Sequence, residues 1–135
     1  MSTHPLIERL TGAFGLPFLT TAEARAAFVS APGTHCLFIP GDPRLDPDTA
    51  DVALILPELW LSFEKAFDCA VIDDEIRAET REAVAVHETP SLIFFRDGIQ
   101  IGALPKVRDR SDYMARIAQI LAVRVTPEDL REFAD

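Results

Sequence analysis

Cysteine is scarce: Cys36 and Cys69 are the two in 135 residues, and no Cys-x-x-Cys occurs. A secreted disulfide scaffold would be shorter and far richer in cysteine. Dithiol chemistry needs a low-pKa thiolate with a second thiol beside it, and that motif is missing. Cations are also few, since 13 Lys and Arg face 22 Asp and Glu for a net charge of −9. This balance disfavours nucleic acid and anionic lipid as partners and favours something cationic. No apolar run approaches the length of a membrane span. The first residues lack a basic stretch followed by an apolar core, so no signal peptide is expected, and the expected location is cytoplasmic. Glycine-rich phosphate loops are absent, and Ser91 has no evident base partner. His4, His35 and His87 show no metal-ligand spacing with the cysteines. The expectation is therefore a chain without enzymatic activity, cofactor or metal.

What is present suffices for one domain across residues 1–135, with 48% hydrophobic and 26% charged residues. Leu6, Ile7, Leu10 and Phe14 fall at helical spacing, and Pro17 to Leu19 has room for a brief strand. Thr20 and Glu23 read as a capping box opening a helix that Pro32-Gly33 stops after Val29. Residues 36–39 form an apolar run bounded by turn residues, as expected of a central strand buried on both faces. The proline-rich stretch 40–49 reads as loop. From 51 to 67 the chain predicts a long helix containing Pro57. Its apolar stripe is Val52, Ile55, Leu56, Leu59, Trp60, Phe63 and Phe67. Leu54 and Leu61 fall on the polar side of that stripe, so both are expected to be exposed. Residues 70–72 predict another buried strand, and 77–84 a short helix. Near the end, Met114, Ile117, Ala118 and Leu121 define the face of a last main helix, capped by Asp109 or Ser111. Thr126-Pro127 opens a short tail helix reaching Phe133.

The most informative stretch runs from Glu88 to Gly102. Two strand-like runs, 92–95 and 99–101, flank Asp97-Gly98, the strongest short-range hairpin signal because a two-residue turn needs positive φ. Pro90 cannot donate to a ladder and so stands where its strand begins. Thr89-Pro90, an apolar strand, a tight turn, a second strand near Gly102-Ala103 and then an amphipathic helix resemble the C-terminal half of thioredoxin. With Pro57 inside the helix after the central strand, the resemblance covers most of the chain. It implies an α/β fold, a mixed central β-sheet flanked by helices, with Thr89-Pro90 cis. By the family's spacing, Thr49 and Val52 stand where thioredoxins carry redox cysteines.

Parallel strands point their C-terminal ends toward one edge of a sheet. That edge is expected to gather Asp42, Asp46, Asp48 and Asp51 from one loop, and Asp73, Asp74 and Glu75 from another. Glu88 joins them beside Pro90, with Lys106 and Arg108 nearby and Leu45, Leu54 and Leu61 adding apolar contacts. An acidic groove with an apolar floor suits a basic, partly apolar peptide. Acids that merely solubilise loops and cap helices account for the pattern equally well. The Pro/Asp-rich loop, the apolar helix through Pro57 to Trp60, the Ala-Val-Ile-Asp strand and Thr89-Pro90 are similar to the HyaE/HupG family of hydrogenase expression proteins. That resemblance implies a cytoplasmic accessory chaperone in [NiFe]-hydrogenase maturation. Its implied partners are the small-subunit precursor with its twin-arginine signal and other hydrogenase accessory proteins. The alternative is an atypical thiol–disulfide oxidoreductase using a single or partner-supplied cysteine.

Overall fold

The apolar run ending at Ile39 must cover both its faces, and the sheet does this by making it the third of five strands. A computed structural model describes residues 5–42 and 46–124. Its helices are α1 (Pro5–Thr11), α2 (Ala22–Ser30), α3 (Pro47–Ser62), α4 (Arg77–Ala83) and α5 (Arg110–Leu121). Its strands are β1 (Phe18–Leu19), β2 (Thr34–Ile39), β3 (Asp68–Ile72), β4 (Ser91–Arg96) and β5 (Ile99–Pro105). They lie in the order β1-β3-β2-β4-β5, the first three parallel, with β4 antiparallel to both β2 and β5. This is the expected mixed sheet.

Alternation along β2 divides the core into two layers. Cys36 and Phe38 join Cys69, Val71, Leu92 and Phe94 beneath α1, α3 and α5. Leu37 and Ile39 join Ala70, Ile72, Ile93 and Phe95 on the other face, where Phe28 of α2 and Val84 after α4 pack. The β4–β5 turn is the one anticipated: Asp97 at φ 51° and Gly98 at φ 86° supply the two left-handed residues. Asp97 also accepts the Gly33 N–H on its side chain at 2.8 Å, tying the hairpin to the start of β2. A register shift between Phe94 and Phe95 has no counterpart in the sequence reading. The tail helix expected over 126–133 lies outside the described residues, as do Leu45 and His4.

Three local expectations need correction. First, α2 is capped by Thr21, whose hydroxyl accepts from Ala24 N–H at 3.1 Å, and not by Thr20. A capping box would need Glu three residues after the cap; Glu23 stands one position too early. Second, α3 begins at Pro47, inside the stretch read as loop, and ends at Ser62. Proline at the first helical position sacrifices no hydrogen bond, and Asp46 before it caps the helix. Left-handed Glu64 and Lys65 follow the helix end, so Phe67 enters the core from the connection to β3. Third, α5 buries Tyr113, Ile117 and Ile120, while Ala118 is exposed. Met114 and Leu121 still pack against the core, so the face is shifted toward Tyr113 and Ile120, which lets the Tyr113 hydroxyl donate to Lys106 C=O at 3.3 Å. The phase assigned to α3 stands, with Leu54 and Leu61 exposed and Leu59 fully buried.

Trp60 fastens the end of α3 to the start of β3 by donating its indole N–H to Phe67 C=O at 2.7 Å. Trp60→Phe keeps most of the apolar surface but leaves that carbonyl without its partner. The expected cost is about 1–2 kcal/mol, read as a lower urea midpoint with an unchanged m-value.

Candidate functional site

The parallel strands β1, β3 and β2 end where β4 starts and β5 finishes, as Ile39 opposite Ser91 and Ser91 opposite Pro105 show. At this end, Gly41 leaves β2, α3 begins at Pro47, and the Thr89-Pro90 peptide leads into β4. That peptide is cis, as the thioredoxin resemblance implied. Thr49, in the first turn of α3, is fully buried between these segments. Its hydroxyl accepts the Gly41 N–H at 2.8 Å and lies 3.5 Å from Asp46 Oδ2. The other Asp46 oxygen accepts Asp48 N–H at 3.1 Å, so the carboxylate sits against the positive end of the helix. Gly41 has no room for a side chain. A Cβ there would stand 2.6 Å from Asp46 Oδ2, 2.9 Å from Thr89 Oγ1 and 3.1 Å from Thr49 Oγ1. This helix terminus is filled by the chain's own groups.

The acids of this end differ in their surroundings. Asp46 caps α3. Asp73 is buried at the end of β3, while Asp74 pairs with Arg77 and Glu75 is exposed. Glu88 pairs with Lys106 at 2.8 Å. Asp42 and Asp48 are half-buried, and Pro90 is buried. Arg108 pairs with Asp112 at 3.0 Å. Hydrogen bonds from Arg108 and then Arg116 hold the Asp112 carboxyl below its usual range. Leu54 and Leu61 do not join the cluster. They lie on the outer face of α3, and Leu61 is about 21 Å along the axis from the first helical residue.

Solved structures with the same shape include thioredoxins. A mutant thioredoxin from Halobacterium salinarum NRC-1 superposes with TM-score 0.64 over 81% of this chain and 93% of its own, at 15% identity. Plasmodium falciparum thioredoxin gives 0.61 over 78% and 96%, at 11% identity. Likeness at this level establishes the thioredoxin-like fold. The family model described as "Hydrogenase-1 expression protein HyaE" matches residues 6–113. The chain belongs to the HyaE family. The hydrogenase expression/formation protein HupG of Rhodobacter capsulatus is 50% identical over 122 residues, covering 90% of this chain and 88% of that protein. HoxO of Azotobacter vinelandii is 38% identical over 120 residues, covering 88% and 79%. The chain is thus a hydrogenase expression and formation protein.

In this HyaE-family chain, the two thiols lie elsewhere than the Thr49 cluster. Cys36 and Cys69 are register partners on β2 and β3, both buried and unbonded. Burial pushes the Cys36 thiol well above its ordinary range, and the adjacent Cys69 adds to the shift. Cys69 also touches the floor of an open cleft of about 290 Å³ lined by Phe14, Trp60 and Asp68. Among the described residues, no three His, Cys, Asp or Glu side chains group as a metal site, and no helix is long and apolar enough to cross a membrane. The sequence reading missed Gly41 and the structural part of Asp46. Asp46-Pro47, a capping residue directly before a proline, was the available signal for the second. Nothing local marked the first.

Two outcomes test this site. Gly41→Ala forces either the Asp46 cap or the Thr89 loop to move, at an expected cost of about 1–3 kcal/mol, measured by denaturant unfolding. A disulfide-based thiol reagent at neutral pH is expected to react slowly with the native chain and rapidly with two thiols once it is unfolded, as read by absorbance.

Proposed function

We propose that this chain acts without catalysis, as a cytoplasmic chaperone for the precursor of a [NiFe]-hydrogenase small subunit. It binds the precursor at or near its twin-arginine signal and holds it until export. The observation that carries this reading is the closed Gly41–Asp46–Thr49 cluster at the position where a thioredoxin would present its thiols. A fold whose reactive helix end is plugged by its own carboxylate and hydroxyl retains a surface, and that surface is acidic. The net charge of −9 suits a partner that brings arginines. Guanidinium groups meet carboxylates through a rigid fork of donors, so an arginine pair can engage two acids together.

Exposed ion pairs supply only about 0.2–1 kcal/mol each. The apolar region of the signal must therefore provide much of the affinity, leaving charge to govern encounter and salt dependence. Thiol–disulfide oxidoreduction is the competing reading. Its requirement for an accessible thiolate conflicts with two buried thiols and a Cys36 pKa raised by burial.

Calorimetric titration with the purified small-subunit precursor, with and without its signal segment, tests the proposal. Binding is expected only when the signal is present. It should weaken as salt rises from about 50 to 500 mM, which shortens the Debye length from roughly 14 to 4 Å. Equal affinity for both precursor forms rejects signal recognition. Disulfide turnover that disappears on Cys36→Ala or Cys69→Ala reinstates the oxidoreductase.

A further inference from the structure

The outer face of α3 departs from what a surface helix normally presents. Over its 16 residues α3 carries the carboxylates Asp48, Asp51 and Glu58 and no cation. Val52, Leu56 and Leu59 are buried, while Asp51, Leu54, Glu58 and Leu61 are exposed on the opposite side. At 100° per residue these four fall within about 80° of arc. They form two rows, leucines at 54 and 61 and acids at 51 and 58, with each pair about 10.5 Å apart along the axis.

A globular surface helix ordinarily keeps this side polar. Here Leu54 is 54% and Leu61 57% exposed, against at most 39% for Phe18, Val107 and Val123, the other exposed large apolar residues described. Asp51 and Glu58 make no ion pair among the described residues, whereas Asp74, Glu88 and Asp112 are all engaged. The apolar row and the uncompensated acidic row therefore share one rigid ridge.

We propose that this ridge docks a helical segment of the partner carrying apolar side chains and arginine or lysine in matching rows at seven-residue spacing. Resting on the reading above, that segment is the signal region of the small-subunit precursor. The leucines contact its apolar row, while its cations lay their stems across the ridge and reach Asp51 and Glu58. A second copy of this chain does not satisfy the same face. Two α3 helices packed antiparallel would bring carboxylate rows together with no cation on either.

The test uses the full chain and a fluorescent peptide of the precursor's signal, followed by anisotropy at low salt. Four proteins are compared: wild type, Leu54→Ser/Leu61→Ser, Asp51→Asn/Glu58→Gln, and Glu23→Gln/Glu82→Gln as a control on α2 and α4, which lie on the other face of the sheet. All substituted residues are exposed, and thermal melts by circular dichroism confirm that each variant folds. The leucine pair is expected to lose about tenfold or more in affinity, as removal of two apolar anchors requires. The α3 acid pair should lose about three- to tenfold, with a shallower salt dependence, and the control pair less than about twofold. Wild-type affinity in both α3 variants overturns the ridge while leaving signal binding intact. Absence of binding by wild type overturns the functional reading and the ridge together. A dimer in sedimentation that dissociates on Leu54→Ser/Leu61→Ser assigns the face to a second copy and also overturns the proposal.

Discussion

The hydrogen bond from Gly41 N–H to the Thr49 hydroxyl joins the end of the central strand to the first turn of the longest described helix. Much of the architecture follows from that junction. It sets the direction in which α3 leaves the sheet, and hence which stripe of α3 meets Phe38, Phe94 and Leu10 in the larger core layer. It also fixes which stripe is left outside. Thr49, Asp46 and Thr89 crowd the space beside Gly41, so the strand end, the helix start and the cis-proline loop act as one unit. A change of side chain at Gly41 would be felt on three elements.

The same junction explains why a thioredoxin-like fold need not do thioredoxin chemistry. A helix N-terminus stabilises a thiolate because its free N–H groups and positive dipole end favour negative charge. Here the Asp46 carboxylate takes up Asp48 N–H, and Thr49, which the family spacing puts at the attacking sulfur, carries a hydroxyl that accepts Gly41 N–H. The electrostatic resource is used to begin the helix. Cys36 and Cys69 sit within the sheet, where burial disfavours the ionised form of Cys36.

The sequence disclosed the central strand and the hairpin because those signals are local or periodic. The run at 36–39, Asp97-Gly98 and the apolar phase of α3 each state one geometric requirement, and the structure meets all three. Where several requirements compete, the reading slipped. Prolines at 40, 43 and 47 all looked like breakers, yet proline at a first helical position is harmless, and only the pairing with Asp46 distinguishes the third. The face of α5 was displaced because Tyr113 counts as polar in a periodicity reading. Buried, it is largely apolar surface with one hydroxyl to satisfy. Gly41 was invisible, since what excludes a side chain there comes from residues 46, 49 and 89, brought together only by folding.

Charge illustrates the same limit on the functional side. Counting acids at one end of the sheet suggests a concentrated negative site, but their counterparts fold back among them. Lys106, in a left-handed conformation directly after β5, reaches Glu88, and Arg77 reaches Asp74. Asp46 is spent on the helix start and Asp73 is buried. The field felt by an approaching partner depends on acids that remain uncompensated, and Asp51 and Glu58 on α3 are of this kind. They also have apolar neighbours on the same rigid element. A carboxylate beside an exposed leucine, repeated after seven residues, holds both kinds of contact at fixed separation and without ordering a loop on binding. Recognition built this way would combine salt-sensitive encounter with a salt-insensitive apolar contact, the combination expected for a segment that carries arginines next to a hydrophobic stretch.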